Sequence, residues 1–203
     1  MFTIKINGKK YSSWKAGTLT KGFKNAADGF SLTIIDGPSS EGLDIAPELG
    51  SKIEFYIPFT SGGSPILFFT GYIEEDSRAL NASSRSFKIS GRSKMGLAID
   101  SSAIYKTANV KKQKIDFIAA ELLKPFNIKT EFKTDPGKAF KSVTIEQGES
   151  VFDVISRLAK DRGLNLMSNF EGNLVFFRKP PQERTILLKP ETGLTPLNVK
   201  RSI

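Results

Sequence analysis

Along the first part of the chain, apolar residues recur at every second position. Residues 2–6 place Phe2, Ile4 and Ile6 on one side, the period of a half-buried strand. Asn7-Gly8 follows, a pair that tolerates positive φ and marks a tight hairpin, so Lys9 to Trp14 reads as the returning strand. Trp14, the single Trp, reads as a core or edge anchor. A strand over 18–23 and a polar turn over 25–29 come next. Phe30, Leu32 and Ile34 alternate again until Asp36-Gly37-Pro38 closes the run. Residues 39–51 read as loop. Ile53, Phe55 and Ile57 make a strand that Pro58 ends. After a flexible turn at 60–65, the run ILFFTGYI at 66–73 is nearly continuous in apolar residues, the pattern of a strand covered on both faces. Phe87 and Ile89 then alternate with Lys88 and Ser90. About seven short strands before residue 91 argue for a barrel or sandwich.

A corner at residues 87–102 organises the chain. Gly91 breaks the strand there, and Ser93 is placed to cap a short helical turn carrying Met95, Leu97 and Ile99. Residues 104–110 are extended. The period then changes: Ile115, Ile118, Ala119 and Leu122 form one helical stripe, which Pro125 ends. Ile128, Thr130 and Phe132 share a strand face, and Asp135-Pro136-Gly137 is a turn. Phe140, Val143 and Ile145 lead into a second helix. Ser150 caps it with Asp153 at its third position, Val151, Ile155, Leu158 and Ala159 form its inner face, Lys160 and Arg162 lie near its end, and Gly163 stops it. Strands at 164–168 and 174–177 follow, joined at Gly172-Asn173. Pro180-Pro181 marks a break, 185–188 reads as one more strand, and 192–203 as the start of a further element. The expected fold is α+β, mainly β: an N-terminal antiparallel β-barrel-like domain over 1–106, a small α+β domain with two helices over 107–180, and a C-terminal tail or further domain from 181 to 203.

Composition narrows the chemistry. The chain has no Cys and no His, which removes disulfides, thiolate and imidazole metal sites, and the Ser-His-Asp and Cys-His mechanisms. No phosphate-cradling G-x-x-x-x-G-K-[ST] and no G-x-G-x-x-G occur. In GRSKMG, Ser93 lacks the spacing of a nucleophile elbow, and adjacent Ser93 and Lys94 do not face each other. Glu74, Glu75 and Asp76 together have the chemistry of a hard-cation site, but consecutive strand residues point to opposite faces, so a charged strand end is the expectation. No catalytic residue, cofactor or metal is expected, and the chain reads as no enzyme. No apolar window is long enough to span a membrane, and Lys5 inside the first apolar run is unlike a secretory signal.

The net charge of +9 attracts nucleic acid, anionic lipid or an acidic protein. It is spread along the chain, with short clusters at Lys9-Lys10 and Lys111-Lys112. Interleaving of Lys52, Phe55 and Tyr56 is of the kind seen in single-strand-binding barrels, so a nucleic-acid-binding basic β-barrel stands as an alternative. Residues 143–164, VTIEQGESVFDVISRLAKDRGL, resemble the opening of a LysM module, which implies glycan binding as another alternative.

A longer resemblance orders these pieces. Gly91, Arg92, Ser93 and Lys94 end a strand, and Asp100, Ser102 and Ala103 follow. Pro125-Phe126 ends a helix, Gln147 to Phe152 open the next, and Gly172 to Val175 form a hairpin. In that order they are similar to the N-terminal region of Mu-like phage baseplate hub proteins, over about residues 4–178. The resemblance implies a structural hub in a contractile phage tail baseplate, related to the hub part of type VI secretion spike proteins. It implies a homo-oligomer, a trimer, that joins the tail tube to the central spike, with DNA passing through the lumen. It implies a location in the virion tail after synthesis in the host cytoplasm, and it carries no catalytic set. Family members run on past this stretch into a second barrel.

Overall fold

A computed structural model describes residues 3–11, 14–22, 26–36, 47–58, 63–81, 84–105, 109–178 and 197–202. The chain divides into two compact units. One comprises Met1–Gly22, Asp28–Ser93 and Thr185–Ile203; the other comprises Phe23–Ala27 and Lys94–Arg184.

The first unit is a curled sheet, mostly antiparallel. Its strands are β1 (Thr3–Ile6), β2 (Lys9–Tyr11), β3 (Trp14–Gly22), β4 (Gly29–Asp36), β5 (Lys52–Ile57), β6 (Ile66–Asn81), β7 (Ser84–Ser93) and, much later in the chain, β13 (Leu197–Ser202). They lie in the order β13-β3-β4-β7-β6-β5-β1-β2. The β1–β2 hairpin turns at Asn7 and Gly8, both at positive φ, as the Asn-Gly pair demands. Asn7 also pins the sheet, because its Oδ1 accepts the Lys52 N–H at 3.0 Å and its Nδ2 donates to Ser51 Oγ at 3.1 Å. Only β13 breaks the antiparallel rule, running parallel to β3. The break at Pro180-Pro181 and the strand at 185–188 lie outside the described residues, as does most of the 39–51 loop.

Alternate residues of these strands bury one core: Ile4, Ile6, Leu19, Phe30, Leu32, Ile53, Phe55, Phe69, Ile73 and Ile89. Phe30, Phe55 and Phe69 meet in a mutual cluster with ring centroids 5.5–5.6 Å apart. Tilted and edge-on pairs of this sort contribute about 0.5–1.5 kcal/mol each beyond their buried area. Trp14 sits half-buried at the margin of the core. The apolar run of β6 is not buried on both faces: Ile66 is 40 % exposed, and Leu67, Phe68 and Tyr72 are half-buried. Nor does β6 end at Ile73, since it continues through Glu74, Glu75 and Asp76.

Gly91 does not break β7 either. It pairs with Phe30 and Ile73 in the middle of the ladder, and a Cβ there would collide with the Tyr72 carbonyl oxygen. Glycine is present because two backbones approach closely, one of the two meanings of a strand glycine. The strand therefore runs on to Ser93, and Ser93 is not a helix cap. The short helix α1 (Met95–Asp100) has Lys94 at its N-cap position and no side-chain cap.

The second unit follows the expected order. Its elements are α1, β8 (Asn109–Lys111), α2 (Ile115–Leu123), β9 (Thr130–Phe132), β10 (Ser142–Thr144), α3 (Val151–Asp161), β11 (Asn165–Ser168) and β12 (Leu174–Phe177). The α2 stripe of Ile115, Ile118, Ala119 and Leu122 is buried. A short 3-10 turn holding Pro125 ends that helix, with Asn127 in the left-handed conformation. Ser150 Oγ accepts the Asp153 N–H at 3.1 Å and donates to the Asp153 carboxylate at 2.7 Å, a side-chain N-cap without the backbone return bond of a full capping box. The α2 and α3 stripes bury against Leu174 and Phe176 of β12. Phe132 of β9 stacks on Phe176 at 4.1 Å. Ala26, in the expected polar turn, is buried in this core.

Candidate functional site

The outward face of the first unit carries its most distinctive surface. Strand alternation sends Leu19, Phe30, Leu32 and Ile89 inward, so Thr18, Thr20, Ser31, Ser90 and Arg92 face out. Cross-strand pairing lines them up, Thr18 opposite Ser31 and Ser31 opposite Ser90. Gly29 and Gly91 leave the middle of the face low, and an open trough of about 480 Å³ runs across β3, β4, β7 and β6.

A bulge shapes one end of this trough. Between Ile73 and Glu75 the pairing with β7 slips by one residue, which leaves Glu74 as the extra one. Bulges re-aim side chains, and here both Glu74 and Glu75 line the trough. Arg92 Nε donates to Glu74 Oε2 at 2.7 Å, and Ser90 Oγ donates to Glu75 Oε2 at 3.0 Å. The acidic triplet is thus neither a cation cage nor a strand end. Among the described residues, no group of three or more His, Cys, Asp or Glu is arranged to hold a metal ion.

Behind the trough lies a polar node. Asp28 is buried, with 2 % of its surface exposed. Its carboxylate takes the Lys21 ammonium at 2.5 Å and the Gly22 N–H at 3.4 Å. Its backbone N–H donates to Ser93 Oγ at 3.2 Å, while the Ser93 N–H donates to the Asp28 carbonyl at 2.8 Å. Burial raises the Asp28 pKa above the ordinary 3.8, and Lys21 and Gly22 offset this only in part. The Ser93 hydroxyl oxygen is thus engaged in a structural contact with the Asp28 backbone. The Asp28 node was not legible in the sequence, because its partners lie seven and 65 residues away.

The basic-aromatic interleaving on β5 builds no stacking platform. Phe55 points into the core. The Lys52 ammonium pairs with Glu54, Tyr56 donates to the same carboxylate at 3.0 Å, and Lys5 covers the Tyr56 ring at 4.7 Å.

In the second unit, the stretch that resembles a LysM opening is fixed by one ion pair. Arg157 donates to both oxygens of Glu149 at 3.0 and 2.9 Å, and to the Thr144 carbonyl at 3.0 Å. The Arg157 hydrogen bonds hold the Glu149 carboxyl below its ordinary range, against a smaller opposing effect of burial. No helix among the described residues is long and apolar enough to cross a membrane.

A curled sheet with a hydroxyl-lined trough and a small α+β unit tied by surface ion pairs have the makings of a module that works by shape and docking. Comparison with known proteins gives the class, phage tail baseplate proteins. Residues 1–93 match the Mu phage baseplate assembly protein GpP-like N-terminal domain, and residues 96–178 match the second domain of baseplate hub protein gp44-like proteins. In that order the two matches make the chain similar to Mu-like phage baseplate hub proteins, whose place is the virion tail. It is 27 % identical over 196 residues to baseplate hub protein gp44 of Escherichia phage Mu, covering 95 % of this chain and 50 % of that protein. The 43 kDa tail protein of prophage MuSo2 from Shewanella oneidensis superposes with a TM-score of 0.76 at 30 % identity, over 86 % of this chain and 52 % of that one. An Escherichia coli component of the type VI secretion system shares the fold at a TM-score of 0.57 and 12 % identity, over 87 % of this chain and 49 % of that one. The chain thus spans about half the length of these relatives. The nucleic-acid-barrel and LysM readings are not favoured.

Proposed function

We propose that the chain is a structural part of a contractile phage tail baseplate, a hub that joins the tail tube to the central spike by self-association and docking. One observation carries this reading: two hub-family domain models match in order on one chain, each over nearly the whole of one compact unit. The chemistry of the surface supports it. The trough offers hydroxyls and one ion pair, which bind another protein surface and move no proton. The reading makes the chain non-enzymatic and its partners further copies of itself, in a trimer, together with tube and spike proteins. Closed symmetry lets one docking surface repeat around an axis and leaves a lumen for DNA.

Light scattering on the purified chain, alone and mixed with the tube and spike proteins of the same phage, tests the proposal. A concentration-dependent trimer or a stable complex with either protein is expected. A chain that stays monomeric at every concentration and binds neither protein overturns it.

A further inference from the structure

We infer that the β8–β10 ribbon of the second unit is a docking surface for the phosphate backbone of duplex DNA, read without regard to sequence. The ribbon buries Val110 and Val143 and turns Lys111 and Ser142 outward on one rung. The ladder runs past the strand ends, since the Lys112 N–H donates to the Lys141 carbonyl at 3.4 Å and the Phe140 N–H to the Gln113 carbonyl at 2.8 Å. Lys112 has a φ of +53°, which takes it out of strand alternation. Lys111, Lys112, Lys114, Lys138 and Lys141 are all exposed around these few rungs, and none forms an ion pair with a described residue. The segments NVKKQK and KAFKS contain no acid. The nearest acids along the chain are turned to their own backbone, Asp116 to the Phe117 N–H and Asp135 to the Gly137 N–H.

Five exposed cations in and around one small ribbon call for a polyanion, and two features favour phosphate over an acidic protein. Protein interfaces centre on an apolar or aromatic anchor and are depleted of Lys. This ribbon has no such anchor to offer: its valines are buried, and the Arg162 guanidinium lies over the Phe140 ring at 4.0 Å. The same capped ring leaves no stacking platform for single strands. Lysine is a hydrated point charge suited to phosphate oxygens, and it reads no base edges here. The inference concerns a surface outside the trough and stands apart from the hub proposal.

Fluorescence anisotropy of a labelled duplex of about 30 base pairs, titrated with the full chain at several salt concentrations, tests it. Five phosphate contacts give a log K against log salt slope of about −4.5, so binding weakens about 500-fold between about 50 and 200 mM salt. The triple variant Lys111→Gln, Lys112→Gln, Lys141→Gln should make this slope shallower by about 3. The control triple Lys124→Gln, Lys129→Gln, Lys160→Gln removes the same charge from other exposed sites and should leave it nearly unchanged. Unaltered melting temperatures separate lost contacts from lost folding. No binding at the lowest salt, equal weakening by both triples, or easier displacement by poly-glutamate than by unlabelled duplex of equal charge would overturn the inference.

Discussion

Asp28 and Ser93 exchange two hydrogen bonds across 65 residues of sequence, the Asp28 N–H to Ser93 Oγ and the Ser93 N–H to the Asp28 carbonyl. They stand where the chain returns to the first unit and where it leaves for the second. Ser93→Ala takes the acceptor from a buried N–H, a loss of about 1–3 kcal/mol. Position 28 should divide by charge and shape. The raised pKa shows that burial outweighs the Lys21 attraction, so the neutral isostere Asp28→Asn is expected within about 1 kcal/mol of the parent. Asp28→Ala leaves both Lys21 and the Gly22 N–H without their carboxylate and should cost about 2–3 kcal/mol, discounted because Lys21 is partly exposed. Urea unfolding of the three variants checks this; an Asn variant as damaged as the Ala variant would refute the account.

Asp28 and Glu149 give stability opposite pH dependences. Glu149, held low by Arg157, has a folded pKa below its ordinary 4.5. Its contribution is complete above that value and is lost as pH falls through the folded pKa. Asp28, raised by burial, binds its proton more tightly folded than unfolded, so its contribution is complete below 3.8 and declines as pH rises through the folded pKa. Unfolding free energies measured from acid to neutral pH should show the parent's advantage over Glu149→Gln shrinking as pH falls below about 4.5. The parent should lose ground to Asp28→Asn as pH rises above 3.8. Parallel curves for parent and variants would show that neither group is linked to folding.

The cap of α3 supports a further prediction. Ser150 satisfies the Asp153 N–H, and its replacement by Ala should cost about 1 kcal/mol, with Ser150→Gly intermediate. For a unit of about 100 residues that is a fall of roughly 4–8 °C in melting temperature. An unchanged thermal midpoint in Ser150→Ala would mean that α3 draws nothing from its cap.

Legibility followed the range of the interaction. The Asn7-Gly8 hairpin, the α2 stripe and the Ser150 cap are local patterns, and each element lies where its pattern pointed. Ser93 and Gly91 depart from their local patterns for a common reason. A Ser before a short apolar helix fits the capping rule, but the Asp28 N–H takes its hydroxyl from 65 residues away. A Gly after an alternating run fits a strand end, but Tyr72 makes it a point of close packing inside a strand. At the trough, the acidic triplet was visible, but the bulge that sends Glu74 and Glu75 to the same place is a property of two paired strands. The lysine ribbon was visible only as the Lys111-Lys112 pair, because pairing of β8 with β10 brings in Lys141.

Gly91 offers the sharpest test of the sheet geometry, with Gly29 as its control. The two lie close together, since Gly29 pairs with Arg92 and Gly91 with Phe30. A Cβ on Gly91 would strike the Tyr72 carbonyl oxygen and approach Phe30 Cε1 to 2.9 Å and the Glu74 N to 3.1 Å. The carbonyl and the amide are backbone and cannot rotate away, so Gly91→Ala must spread β6 from β7 at the bulge. Overpacking of a fitted core costs about 1–3 kcal/mol, and a backbone collision belongs at or above the upper end. A Cβ on Gly29 meets only the Gly91 carbonyl oxygen, at 3.9 Å. Gly29→Ala is therefore expected within about 0.5 kcal/mol of the parent, on either side, because the strain is absent and the unfolded chain loses freedom. Thermal and urea unfolding of the two variants should separate them by about 3 kcal/mol or more. Equal stability of the two would mean that β6 and β7 do not approach at Gly91 as closely as the trough requires.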